Sequence, residues 1–280
     1  NGGTPYTLQG SKAIAGSASL SKLGSQTLTI SNANTYTGGS KLGQGSANIG
    51  TVGIGNNNAL GSGKITALGA QLQAIGAART LTNAIDIEAG ALRFGGGNDL
   101  TLSGAITMVG SREIGIYSPT NTLTLSGGVN LNGYNLTLIG DAGNVPNGSM
   151  VLSAPIAGSG NVALSANFQN GTAMLSASNT YVGLTTIGSG TLRLGAGEVI
   201  PDGTNAGTVT VTGTLDLNGF SETINGLSGA GTVDTIAGGT PTLTVGSGNA
   251  TSTFTGIIQN TAGTLALVKT GTGLLVLQGA

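Results

Sequence analysis

The chain has 280 residues, 53 of them Gly, with only 7% charged, 3% aromatic and no His, Cys or Trp. A net charge of −1 gives no electrostatic reason to bind nucleic acid or an anionic membrane. Without His or Cys there is no Ser-His-Asp triad, no Cys-His dyad and no ordinary zinc site. Taken in chain order, alternating runs predict strands at 27–30, 91–94, 99–102, 122–125, 135–138, 191–194, 208–211 and 242–245. In Thr27-Leu28-Thr29-Ile30, as in the others, every second residue is apolar, so one face is buried and the other shows Thr, Asn or Arg. Gly, Asn and Ser clusters between the runs supply corners at positive φ. No stretch keeps a 3.6-residue apolar period over three turns, which predicts almost no helix. The apolar residues run the length of the chain, which argues against disorder. No apolar run approaches the ~20 residues of a membrane helix. The start without Met or leader leads to the expectation of a mature or excised segment, and the lack of Cys fits export in an unfolded state.

Internal repetition separates a solenoid from a sandwich. The segment 15–33 returns at 262–280, with Ala15, Gly16, Leu20, Lys22, Gly24, Leu28 and Ala33 matched by Ala262, Gly263, Leu267, Lys269, Gly271, Leu275 and Ala280. A weaker third copy ends near 178, so that modules end near 33, 178 and 280. Asn34-Thr35-Tyr36-Thr37-Gly38 follows the first copy and Asn179-Thr180-Tyr181-Val182-Gly183 the third. Another pair is Leu131-Asn132-Gly133-Tyr134 and Leu217-Asn218-Gly219-Phe220, each a tight turn followed by an aromatic placed to stack on a neighbouring rung. Repeated strands and turns without helices read as one continuous β-solenoid over 1–280. With a coil of ~20 residues it would have about 14 rungs and a length of about 65–70 Å.

The segments 175–195 and 34–39 resemble the autotransporter-associated β-strand repeat, as do 58–63, 80–85 and 214–231. The resemblance covers nearly the whole chain. It implies an all-β fold, a right-handed parallel β-helix, exported to the outer surface of a Gram-negative-type bacterium as an autotransporter passenger or a giant surface protein. The sequence itself carries neither a C-terminal barrel nor a globular catalytic insertion.

Candidate sites are few. Asp86 and Glu88 share the face opposite Ile85 and Ile87; as paired carboxylates they would suit glycoside hydrolysis, and as solvated side chains they would be offset by Arg93 or Arg112. A calcium-dependent lyase needs clustered acids, whereas Asp99, Asp141, Asp202, Asp216 and Asp234 are spread singly. Gly95-Gly96-Gly97-Asn98-Asp99 is a single ragged copy of a calcium-loop pattern and reads as a corner. Thr-x-Thr recurs at 27/29, 122/124, 208/210/212, 242/244 and 251/253, either as a ladder for ice or sugar or as ordinary exposed strand. Tyr36 and Tyr181 are the candidate surface-binding residues, as a sugar-stacking platform; otherwise they cap turns at the core edge. Asn135, Asn147, Asn170 and Asn249 open glycosylation sequons.

The sequence thus predicts no enzyme, no cofactor and no metal site. The expected role is a structural rod of the bacterial surface or extracellular matrix, stacking end to end into fibres through terminal rungs whose backbone groups lack partners. An adhesin binding glycans or host surfaces through one face is the alternative, and a polysaccharide lyase or hydrolase the third reading. Neither nucleic acid nor membrane insertion of this segment is expected.

Overall fold

The computed structural model describes residues 4–45, 50–140 and 148–279. Asp141, Asn147 and Ala280, named above, lie outside them. Among the described residues there are only strands, turns and bends, and the paired strands run parallel. All eight predicted runs contain strands. The chain is a β-solenoid of about 11 turns.

Each complete turn contributes to three walls. The first wall stacks Leu20–Lys22, Ser40–Gly43, the front halves of Ile65–Ala74 and Ile85–Gly95, then Ile106–Met108, Val129–Asn130, Ile156–Gly158 and Thr180–Tyr181. The second runs from Tyr6–Leu8 through Leu28–Ile30, Gly50–Ile54, the rear halves of Ile65–Ala74 and Ile85–Gly95, Arg112–Tyr117, Leu136–Gly140, Val162–Leu164 and Thr185–Ile187 to Val209–Val211 and Leu227–Ser228. Two short sheets carry these walls on: Glu222–Ile224, Thr242–Val245 and Ala266–Lys269 continue the first, and Ser252–Phe254 with Leu275–Leu277 the second, where Phe254 bridges to Gly229. The third stacks nine strands from Arg79–Leu81 to Ile257–Ile258. Inward positions form apolar ladders, such as Leu100, Leu123, Met150, Ala173, Leu192, Leu215 and Val233 on the third wall. Stacking satisfies backbone groups between turns, so short strands suffice.

The rod is shorter than expected. Paired residues are 18 apart at Val209 and Leu227 and 26 apart at Leu138 and Leu164, because a turn must cover three walls and their corners. About 11 turns at ~4.8 Å give a length of roughly 50–55 Å instead of 65–70 Å.

The repeats are of two kinds. In the copies 15–33 and 262–280, Leu20–Lys22 and Ala266–Lys269 belong to the first wall, and Leu28–Ile30 and Leu275–Leu277 to the second. Lys22 Nζ donates to the carbonyls of Leu23 (3.1 Å) and Gly24 (2.8 Å), and Lys269 Nζ to those of Thr270 and Gly271. The other pair repeats a corner instead. Asn132 and Asn218 have φ 51°, and Gly133 and Gly219 have φ 86° and 83°, which closes a tight turn from Leu131 O to Tyr134 N and from Leu217 O to Phe220 N. Asn132 turns from the first wall toward the second, whereas Asn218 turns from the third toward the first. The aromatic rings that follow do not stack inside: Tyr134 is 39% and Phe220 38% exposed.

Candidate functional site

The two tyrosines do not form a platform. Tyr36 and Tyr181 are each 1% exposed, because the side chain at the end of the Asn-Thr-Tyr corner points into the core. Tyr36 Oη shares a hydrogen bond with Ser40 Oγ, and Tyr181 Oη with Thr185 Oγ1, both at 2.7 Å. Burial raises the pKa of both phenols, against the opposing pull of the hydroxyl partner. The asparagines that open the corners tie turns together. Asn34 accepts from Ile14 N (2.9 Å) and donates to Ala59 O (2.8 Å); Asn179 accepts from Ile156 N and donates to Val199 O, both at 2.7 Å.

Asp86, Glu88, Asp99, Asp216 and Asp234 fall into three settings. Asp86 is held by Lys64 at 2.8 Å rather than by an arginine, and Glu88 is exposed beside it on the outer surface. Asp99 accepts the amide of Thr122 at 2.8 Å, so the Gly95–Asp99 segment is a corner that ties to the next turn. Asp216 and Asp234 are not isolated: they stand opposite one another on successive strands of the third wall. Asp216 is 0% exposed and accepts from Arg193 Nε (2.7 Å), Asn218 N (2.9 Å) and Ile236 N (3.0 Å). Asp234 accepts from Thr235 N, Gln259 Nε2, Thr261 N and Thr261 Oγ1. Burial acts to raise the pKa of Asp234, but these donors outweigh it and hold the carboxyl below its usual range. Among the described residues no group of three acids could hold a metal ion.

Sequence reasoning missed Glu222. The first wall is interrupted after Thr180–Tyr181, where the chain passes Val199 and Ile200 without a strand. Glu222 fills the gap: Oε2 accepts from Val199 N at 3.0 Å and Oε1 from Ile200 N at 2.8 Å. Burial pushes its pKa up to about 8 against those two amides, with Glu198 and Asp202 adding like charge. Glu-Thr-Ile alternation alone reads as an exposed strand position and gave no signal for this role.

The outer surface is largely uncharged and hydroxyl-bearing. The Thr-x-Thr motifs lie on different walls and do not stack into one array: Thr29 is on the second, Thr122 and Thr124 on the third, and Thr244 on the first. A different column does align. Thr122, Ser149, Thr172, Thr191, Thr214 and Thr232 occupy one outward position on six successive turns of the third wall. Beside it a groove of about 380 Å³ is lined by Ser189, Thr191, Thr212, Thr214 and Thr232. On the first wall Ser21, Lys41, Lys64 and Thr66 border another of about 440 Å³. Two sequon asparagines serve the coil: Asn135 Oδ1 accepts from Asn161 N, and Asn249 Oδ1 from Thr272 N.

No family model and no solved structure matches the chain. One curated protein does: the adhesin BmaC autotransporter of Brucella suis biovar 1 (strain 1330), 30% identical over 213 residues. The match covers 75% of this chain but 5% of that protein. This chain is a β-solenoid related in sequence to an autotransporter adhesin. At that coverage the likeness compares one stretch of coil with a small part of a much longer molecule.

Proposed function

We propose that the chain is a non-catalytic, surface-displayed segment of an autotransporter-type passenger, built from the associated β-strand repeat and acting as an adhesin rod. What supports this most is the coincidence of two observations: a parallel coil running through the described residues, and similarity to an autotransporter adhesin over three quarters of the chain. The hydroxyl-bearing outer walls fit contact with glycans or a host surface. A hydrolase has less support, since Asp86 is engaged by Lys64 and the Asp216–Asp234 pair is saturated by donors. The test is an epitope at the Gly96–Asn98 corner of the chain within its parent, expressed in the native bacterium. Labelling of intact cells that is abolished by external protease is the expected result. Labelling only after lysis overturns surface display.

End-to-end stacking into fibres is the second reading. It is favoured by apolar side chains on the outermost described turns, where Tyr6 is 66%, Val268 45% and Leu277 50% exposed. Sedimentation of the purified chain at rising concentration tests it: growing polymers support stacking, and a constant monomer removes it.

A further inference from the structure

The corner between the first and second walls carries a pocket that the sequence reading did not foresee. Strands Ile65–Ala74 and Ile85–Gly95 bend round this corner without a break, with Gly69 at φ 81° and Gly90 at φ 59°. A Cβ on Gly90 would stand 2.9 Å from Gly69 Cα, so the closely packed corner keeps a floor without side chains. Above it is a cavity of about 290 Å³, bordered by Arg93, Ser111, Arg112 and Glu113.

The two arginines are held differently. Arg112 donates from Nε (3.0 Å) and Nη2 (2.7 Å) to Glu88 O and from Nη1 (3.1 Å) to Ser111 O, which fixes the guanidinium plane and leaves N–H groups over. Arg93 lies with Cζ 4.9 Å from the centre of the Tyr117 ring. Its Nε is buried and has no hydrogen-bond partner. The chain's other two arginines are engaged, Arg79 by Ile75 O and Arg193 by Asp216. Arg93 is therefore stacked and oriented, with Nε covered by the protein, so that its terminal nitrogens are what it offers to a pocket that a second arginine also borders.

We propose that this pocket binds the oxyanion of an acidic sugar, a carboxylate or a sulfate. A guanidinium presents paired donors that match either group, and stacking on Tyr117 fixes the fork before the ligand arrives. The volume approaches the lower end of small-ligand sites and suits one sugar ring rather than a large ligand. Glu113 and Ser111 on the rim supply acceptors for ring hydroxyls, a need that a bare inorganic anion does not have. The site stands on its own geometry and goes beyond the surface-rod reading; binding by purified protein and labelling of intact cells can fail independently.

The experiment is calorimetric titration of the purified chain with oligogalacturonate, a heparin-derived hexasaccharide and neutral maltohexaose. Binding of one acidic saccharide, weakened by added salt and absent for maltohexaose, is the expected result, and the acid that binds identifies carboxylate or sulfate. Arg93→Gln should weaken it at least tenfold, and Arg93→Lys should recover only part because the fork is lost. Lys41→Gln, on the first wall, should leave it unchanged. Among the described residues Arg93 Nε has no hydrogen-bond partner to lose, so Arg93→Gln remains informative where a change at the firmly bonded Arg112 fails to fold. Equal binding of maltohexaose, inorganic sulfate competing as well as the saccharide, binding unaffected by Arg93→Gln, or no binding at all each overturns the proposal.

Discussion

Asp216 stands opposite Asp234 on adjacent turns of the third wall, and the two carboxylates are kept together by separate sets of donors. Arg193, Asn218 and Ile236 serve the first; Thr235, Gln259 and Thr261 serve the second. Asp216→Ala leaves a guanidinium and two amides without their acceptor and should cost about 3–5 kcal/mol. Asp216→Asn can keep Oδ1 facing both amides but turns an amino group toward Arg193, so its loss should be smaller. Denaturant unfolding of the two variants checks the order, and equal losses would mean that the amides contribute nothing.

Glu222 makes stability depend on pH with a definite sign. Its pKa is about 8 in the folded coil against 4.5 as the ordinary value. Between those values the unfolded chain releases a proton that the folded chain retains, so stability falls as pH rises through this window. The slope is at most about 1.4 kcal/mol per pH unit, and the contribution is fully present only below about pH 4.5. Thermal unfolding at about pH 5 and pH 8 should show the higher midpoint at pH 5. Glu222→Gln should flatten the difference while lowering the midpoint at pH 5, since its amino group faces one of the two amides.

The tyrosine hydroxyls are structural. Tyr181→Phe leaves Thr185 Oγ1 without its partner and should cost about 1–2 kcal/mol, whereas Tyr181→Ala should cost about 3–5 kcal/mol through the cavity it leaves. Tyr36→Phe should behave like Tyr181→Phe. Chemical denaturation provides the readout, and a Tyr→Phe change without effect would remove the hydroxyl pair from the account.

Asn179 needs both ends of its amide. Asn179→Asp keeps an acceptor for Ile156 N but sets a carboxylate oxygen against Val199 O. A loss of about 2–3 kcal/mol at neutral pH is expected, smaller in acid where the carboxyl can donate. Unfolding midpoints of this variant at about pH 4 and pH 7 decide it; a midpoint independent of pH would contradict the bridging geometry.

Strands and repetition were legible because alternation leaves a mark in each run, as in Thr191-Leu192-Arg193-Leu194. The number of walls was not, since strands of two to four residues give no sign of how many make a turn, and the assumed coil came out too short. Corners were recognisable at Asn132-Gly133 and Asn218-Gly219 from their turn residues, but not which walls they join. Tyr36 and Tyr181 were found as a recurring pair; alternation stops at a corner, so whether they faced in or out had no sequence signal. The alignment of Thr122 with Ser149 and Thr172, the meeting of Asp216 with Asp234 and the place of Arg93 over Tyr117 all depend on variable turn lengths that pattern alone does not supply.

The Thr122-to-Thr232 column stays in line although the number of residues between its members changes from turn to turn. The walls set the pitch of the thread, and the corners absorb the slack. A residue gained or lost at one corner therefore need not disturb the turns above and below it. Such a rod can change its outline one corner at a time while its axis keeps the same spacing, so new surface features can arise without rebuilding the core.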